Sequence, residues 1–488
     1  MEPATIIFDN LYGFIPLNET EVEIIDSPYF QRLRWIKQLG FSDYTFPGAE
    51  HTRLAHALGT LHIMDKMLHA IRRAVPPEKL FNTRARGEAA MFHKTMRLAA
   101  MLHDIGQFPF SHTLEDAYIA HESRKRHLDL ANYPDDLLIP GSHEELTEFI
   151  ITQTDFPGGI TSILKKSGFD ANEIAAIATG TSDNLLATQM LHSEIDADRM
   201  DYLLRDAYHT GLKYGHFDSD YLINSLRVEK VNGKEILAIH ENALRTVENF
   251  LLSRFSWYAQ IIKEGRGKKF DFIAARIYGE FLDHKLVYSA DEIKRLITRD
   301  PQGFAAFHDH YFLEILERER KRPSIRDPLL SELIEMLLTR VAPKQIKTSG
   351  LKPRMIASSA ERSAAVTEVE QEVKRLERLI RGLAGDKRRH WLLVEMPYKD
   401  VRTAKPIDMI IAKSAKLKRA QEGTSELSRL LLVPDPIKIV DSKGRVSLLV
   451  SRTDSIIYTL ARSALFIANV YTNDFTYSAL IARGLAAA

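Results

Sequence analysis

From the N-terminus to about residue 335, apolar positions recur at three- and four-residue intervals with few interruptions, the spacing that lays a continuous stripe along a helix. The segment Thr95–Ile105 (TMRLAAMLHDI) is almost wholly apolar until His103-Asp104, then meets Gly106 and Pro109, so a buried helix is predicted to stop there. One β interruption stands out: Val228–Val231 and Glu235–Ile239 flank Asn232-Gly233, a two-residue hairpin signal. After about Pro343 the pattern changes. A polar stretch precedes Val366, Val369, Val373, Leu376, Ile380 and Leu383, whose alternating spacing of three and four marks a heptad-patterned helix. It is short for an autonomous coiled coil, so packing onto its own domain is expected ahead of a subunit contact. Beyond it, Trp391–Met396, Asp408–Ile411, Ile437–Val440 and Val446–Val450 read as strands, the last two joined through Asp441-Ser442-Lys443-Gly444. The pattern therefore predicts a mainly α fold: an all-helical core over residues 1–340 and a smaller α+β lobe over residues 341–488.

Composition narrows the chemistry. Lys and Arg number 66 against 65 Asp and Glu, so no global field favours nucleic acid or an anionic membrane. Basic runs such as Lys387–Arg389 and Lys413–Arg419 read as solvated faces; nucleic acid is conceivable there but not indicated. The chain has no cysteine, which excludes disulfides and thiolate metal sites and leaves His, Asp and Glu as ligands. The N-terminal MEPATIIFDN is not a secretion signal, and no uncharged apolar run of about 18 residues is present. A cytoplasmic protein with no membrane association is expected.

Four segments place His and Asp in apolar settings that a solvated surface would not need. They are HTRLAHALG (Arg53, His56), LHDIGQFPFSH (His103, Asp104, His112), GSHEELTEF (His143, Glu144) and EIDADRMDYLLRD (Asp198, Tyr202, Asp206). Asp104 ends a helix that must be buried, and an ionised Asp does not enter a core unpaired; a bound cation answers that cost. Asp198, Tyr202 and Asp206 fall on one helical face. Two His with two carboxylates suit a divalent ion such as Mn, Fe, Zn or Ni, with positions left for water and phosphate. Arg53, one turn before His56, can offer bidentate phosphate binding. Ordinary readings stand beside these. His56 alone reads as a satisfied core histidine, His143-Glu144 as a helix start capped by Ser142 with Glu145 at the third position, and His308-Asp309 as a surface or capping pair.

In order, DSPYFQRLRWIKQLG, FPGAEHTRLAHALG, HDIGQFPFSH and DADRMDYLLRD resemble the HD-domain deoxynucleoside triphosphate triphosphohydrolases, which include the sterile-alpha-motif/HD-domain enzyme and bacterial dGTPase-like proteins. The matching motifs span residues 7 to about 265, and the ending from Ile437 is similar to the family's C-terminal lobe more weakly. The resemblance implies a helical HD-domain catalytic core and a metal held by His56, His103, Asp104 and Asp198, one divalent ion (Mn, Fe, Mg, Zn or Ni) with a second Mg arriving on the nucleotide. It implies Arg53 on the α-phosphate and Arg254 on a distal phosphate. His112 would donate a proton at the scissile ester oxygen, oriented by Glu115 where the family has Asp, with His143 and Glu144 completing the acid–base network. Tyr202 would pack against the deoxyribose with Asp206 near the sugar, and Gln38 and Leu39 along sugar and base. The implied reaction releases deoxynucleoside and inorganic triphosphate.

Gln107 stands where the family motif has a second histidine; it can hydrogen-bond phosphate but cannot serve as an acid. Counting from Arg254 puts the family's Tyr-Gln base contacts on Ile262-Lys263, so base preference does not carry over. Asp26, Gln31 and Arg34 match part of an activating-nucleotide site that lies between subunits in some members, which implies a homo-oligomer (dimer, tetramer or hexamer) with an activating nucleotide as partner. Two alternatives accompany the dNTP reading: an HD phosphohydrolase acting on another nucleotide, a monophosphate or signalling nucleotide, and a non-hydrolysing nucleotide sensor, the latter motivated by Gln107.

Overall fold

The computed structural model describes residues 3–74, 86–128, 137–262, 268–349 and 425–464, with shorter stretches between and after them. The chain opens with an antiparallel hairpin, β1 (Thr5–Asp9) and β2 (Gly13–Leu17). Its turn is closed by Asp9, whose Oδ1 accepts the N–H groups of Leu11 and Tyr12 at 2.9 and 3.0 Å. Gly13, at φ +75°, supplies the left-handed residue that the turn requires.

Five helices build the centre. α1 (Arg53–Ala74) carries its buried residues at helical spacing, among them Leu54, Leu58, Leu61, Met64, Leu68 and Ile71, and ends on Arg72 and Arg73, cations at the negative pole of the helix. α2 (Arg86–Leu102) is buried without a break from Met96 to Leu102. It stops three residues before the predicted Ile105, because the chain already turns at His103-Asp104. α3 (His112–Arg126) closes on His127 in the left-handed conformation. α4 (His143–Gln153) starts as predicted, Ser142 Oγ accepting from the Glu145 N–H at 3.2 Å. α5 (Ala197–Thr210) is capped by Asp196 at its start and by Gly211, φ +73°, at its end. α1 packs against both α2 and α5, so three of the four chain segments that carry the His and Asp motifs meet at one place.

Farther along, β3 (Leu226–Val231) and β4 (Lys234–His240) form the predicted hairpin, with Asn232 and Gly233 both at positive φ as a two-residue turn of this hand demands. α6 (Leu244–Trp257) runs into a π-helical turn over Tyr258–Ile262. α7 (Lys268–Asp283) packs on α3, and α8 (Asp309–Lys321) follows. In the last third, α9 (Ile407–Lys416) occupies the stretch expected as the strand Asp408–Ile411. A four-residue apolar run cannot distinguish the two; among the described side chains, Ile410 and Ser414, one turn apart, are buried and Ile411 faces out. Trp391–Met396 does contain a strand, Leu392–Glu395, which pairs with Ala468–Thr472. β5 (Lys438–Val440) and β6 (Val446–Leu448) form the expected hairpin, and β5 also runs parallel to β4, Ile239 opposite Ile439. Strands from both sides of residue 340 thus share one sheet, in the order β3-β4-β5-β6. The heptad positions from Val366 to Leu383 lie outside the described residues. The fold is mainly α, a helical core with a small sheet lobe. No helix among the described residues is long and apolar enough to cross a membrane.

Candidate active site

Where α1, α2 and α5 meet, four side chains converge. His56 comes from the first turn of α1, His103 and Asp104 from the turn after α2, and Asp198 from the first turn of α5. His56 Nε2 lies 3.0 Å from Asp198 Oδ1 and 3.7 Å from Asp104 Oδ2. His103 Nε2 lies 3.5 Å from Asp104 Oδ2 and 3.7 Å from Asp198 Oδ1. The outer ring nitrogens are already committed: His56 Nδ1 to Asp201 Oδ2 at 2.7 Å, His103 Nδ1 to the Ala100 carbonyl at 2.8 Å. A donating Nδ1–H fixes the tautomer and leaves the Nε2 lone pair facing inward. Both Nε2 atoms are buried and have no hydrogen-bond partner. Orphaned imidazole nitrogens facing two carboxylates fit a divalent ion, with nitrogen and oxygen donors of intermediate hardness.

Arg53 reaches over this cluster. Its guanidinium pairs with Asp104 through NH1 and donates from Nε to Ser111 Oγ at 2.8 Å. Burial alone would raise the Asp104 carboxyl, but Arg53, His103 and His143 outweigh it and hold the group far below the usual carboxylate range. Ser111 and Phe110 take φ of +57° and +53°, a costly conformation for residues with side chains. Two contacts hold it: Ser111 Oγ donates to the Lys37 carbonyl at 2.6 Å, and Asp309 Oδ1 accepts the Phe110 N–H at 2.6 Å. His308 caps α8 as expected, but Asp309 is no surface residue. It is 4% exposed, its other oxygen accepts the Lys37 N–H at 2.9 Å, and it braces the strained loop from behind.

A line of alternating imidazoles and carboxylates leads away from the cluster. His143 Nε2 lies 3.6 Å from Asp104 Oδ1, and its Nδ1 meets Glu115 Oε1 at 2.7 Å. The other Glu115 oxygen meets His112 Nδ1 at 2.6 Å. Glu144 adds an oxygen 3.4 Å from His143 Nδ1. Burial opposes charge on His143, but Glu115 and Glu144 reverse it and push the imidazole up to about 10. Burial likewise opposes charge on Glu115, and the two histidines hold it well below the ordinary range. His112 itself is largely exposed, so the line runs from the buried cluster to solvent. Gln107 is fully buried; its Oε1 accepts the Phe108 N–H at 3.1 Å and its Nε2 has no partner.

Along α5, the Tyr202 ring packs against Trp257 with centroids 4.7 Å apart and the planes tilted by 38°. Asp206 ties that wall together, accepting the Trp257 indole N–H at 2.7 Å and pairing with His51 Nε2 at 2.8 Å, so both its oxygens are engaged. Gln38 and Leu39 are buried, Gln38 Oε1 without a partner. Arg254 likewise has Nε and NH1 buried and unpaired, which suits a guanidinium awaiting an anion. The π-helical turn at Tyr258–Ile262 changes the register after Arg254, so counting along a regular helix does not fix which side chain there faces the pocket. Of the residues matched to an activating-nucleotide site, Gln31 and Arg34 hydrogen-bond each other at 3.2 Å, whereas Asp26 opens onto a cleft with Glu19 and Glu23. Sequence reasoning missed Asp201, His51, Trp257, Ser111 and Asp309. Asp201, three residues after Asp198 in the same acidic motif, carried the one usable signal.

Residues 53–206 match the family model of the HD domain, so this segment of the chain is an HD domain. The chain is 30% identical over 320 residues to an uncharacterized protein of Methanocaldococcus jannaschii, covering 64% of this chain and 57% of that one. It is 25% identical over 363 residues to the deoxynucleoside triphosphate triphosphohydrolase SAMHD1 of Homo sapiens, covering 69% of this chain and 53% of that one. The chain thus spans little more than half the length of these relatives. A phosphohydrolase of Bacteroides thetaiotaomicron has a similar fold in its crystal structure, with TM-score 0.63, 20% identity, and 96% of this chain and 99% of that one covered.

Proposed function

We propose that this protein hydrolyses deoxynucleoside triphosphates to deoxynucleoside and inorganic triphosphate. The observation that carries the reading is the continuous line from the four-ligand cluster through His143 and Glu115 to the exposed His112. The similarity to SAMHD1 supports the substrate class. A divalent ion held by His56, His103, Asp104 and Asp198 would supply a Lewis acid for a phosphoryl oxygen and lower the pKa of a bound water. Arg53 would bind the α-phosphate from its seat between Asp104 and Ser111. Arg254, with its unpaired guanidinium nitrogens, would take a distal phosphate.

Water adds to the α-phosphorus as the bond from that phosphorus to the sugar O5′ breaks. His112, its Nδ1 held by Glu115, would deliver a proton from Nε2 to the departing O5′. Glu115 and His143 would restore that proton, with Glu144 adding negative charge beside His143. Tyr202 would pack on the deoxyribose, held in place by Trp257 and, behind it, Asp206; Gln38 and Leu39 would flank sugar and base. The test is product analysis with each dNTP, singly and mixed, in Mn²⁺, Mg²⁺, Co²⁺ and Fe²⁺. Deoxynucleoside with triphosphate, lost in Asp104→Ala, is the expected result; release of pyrophosphate or orthophosphate would refute it.

A further inference from the structure

The acidic partner of His56 is itself held by a buried arginine that reaches the N-terminal hairpin. Arg205, fully buried on α5, straddles Asp201 with two parallel bonds, Nε to Oδ2 at 2.9 Å and NH2 to Oδ1 at 3.0 Å. Its remaining nitrogen, NH1, donates to Asp9 Oδ2 at 2.9 Å in the turn between β1 and β2. Asp201 Oδ2 in turn meets His56 Nδ1. One unbroken line of side chains, all buried, therefore runs from the hairpin turn to a residue of the metal cluster.

Room for it is built into the opposite helix. A Cβ on Gly59, one turn after His56 on α1, would lie 1.9 Å from Asp201 Oδ1 and 2.4 Å from Arg205 NH2. The hairpin end is fitted as closely. Asp9 uses Oδ1 for the turn and Oδ2 for Arg205, and Tyr12, two residues past the turn's start, places its ring 5.5 Å from the guanidinium.

We infer that Asp9 and Arg205 are positioning residues that, acting through Asp201, set the orientation and donor strength of His56 toward the metal, so that docking of the N-terminal hairpin governs metal affinity. The physical ground is that a carboxylate behind a ligating imidazole fixes the ring and raises its basicity, and loss of such a partner costs about 10- to 100-fold in affinity. A bidentate guanidinium is the group that holds that carboxylate in one plane, which a lysine cannot reproduce. Arg205 also balances the two buried carboxylates, neither of which would remain in place unpaired. The inference rests on the reading of His56 as a ligand.

The experiment is titration of the 488-residue apoprotein with Co²⁺, followed by its visible absorption, and with Mn²⁺ by paramagnetic resonance. The variants are Asp9→Asn, Arg205→Lys, Asp201→Asn and His56→Ala, each checked for fold by circular dichroism. Asp9→Asn keeps the Oδ1 acceptor for the turn N–H groups and replaces the oxygen facing Arg205 NH1 with an amide NH2, which removes both the charge and the acceptor there. We expect Asp201→Asn and Arg205→Lys to weaken binding about 10-fold or more with an altered Co²⁺ band. Asp9→Asn should weaken it severalfold, and His56→Ala should abolish the spectrum. Folded Asp9→Asn and Arg205→Lys proteins with wild-type affinity and an unchanged band would overturn the inference while leaving the metal site standing. An unchanged spectrum in His56→Ala would instead overturn the ligand assignment on which it rests.

Discussion

Gly106, in the turn after His103-Asp104, packs directly against the first turns of α4. A Cβ there would sit 2.4 Å from the Thr147 backbone nitrogen and 2.5 Å from the His143 carbonyl oxygen. Both are backbone atoms of the first turns of α4, so no flexible side chain can give way. An ordinary contact needs about 3.5 Å, so Gly106→Ala must drive the start of α4 off the HD turn by about 1 Å. The clamp between them would loosen with it: the Gly106 N–H donates to Thr147 Oγ1, which donates to the His103 carbonyl, each at 3.1 Å. His143 would retreat from Asp104 and from Glu115 together. Overpacking of this kind costs about 1–3 kcal/mol of stability. A 1 Å misplacement of a reacting or proton-carrying group costs about 100-fold in rate. The assay is kcat for dNTP hydrolysis beside metal titration and thermal melting. A fall in kcat of about 100-fold with metal affinity within a few-fold of wild type is expected, because none of the four proposed ligands sits on α4. Activity within two-fold of wild type in a folded variant would refute the role given to His143.

Asp309→Ala should destabilise the protein by about 2–6 kcal/mol, since it strands the buried N–H groups of Lys37 and Phe110, each worth about 1–3 kcal/mol, as denaturant titration would show. Lys438, buried between the Val433 and Pro434 carbonyls, is pushed by burial down to about 7 from its ordinary 10.5. Below pH 7 folded and unfolded chains both hold its proton; above that the unfolded chain holds it longer, so this residue makes stability rise with pH between about 7 and 10. Chemical denaturation of wild type and Lys438→Met across that window should show the difference moving toward the wild type by about 1 kcal/mol per pH unit, and a flat difference would count against it.

What the sequence made legible were features with a local period or a local cost. The Asn232-Gly233 hairpin, the Ser142 cap and the apolar run ending at His103-Asp104 each follow from a few adjacent residues. That His103-Asp104 needs a partner follows from an ionised Asp closing an apolar helix, whereas the full set of four was what the family resemblance implied. The residues that tune it were not legible in the same way. Asp201 and Arg205 stand one helical turn apart, a spacing common to exposed salt-bridged pairs, and Asp9 lies 196 residues from its partner. Asp309 sat in a polar sequence, FHDHYF, that hid its burial, because only tertiary contact brings it under the Phe110-Ser111 loop. Asp408–Ile411 failed for the opposite reason, since a short apolar run has no period to read.

The central claim is that water attacks the α-phosphorus and that the sugar oxygen leaves. Hydrolysis of a single dNTP in ¹⁸O-labelled water, with products resolved by mass spectrometry, tests it most directly. Label in inorganic triphosphate and none in the deoxynucleoside is the result predicted. Label in a deoxynucleoside monophosphate beside pyrophosphate, or in orthophosphate, would contradict it.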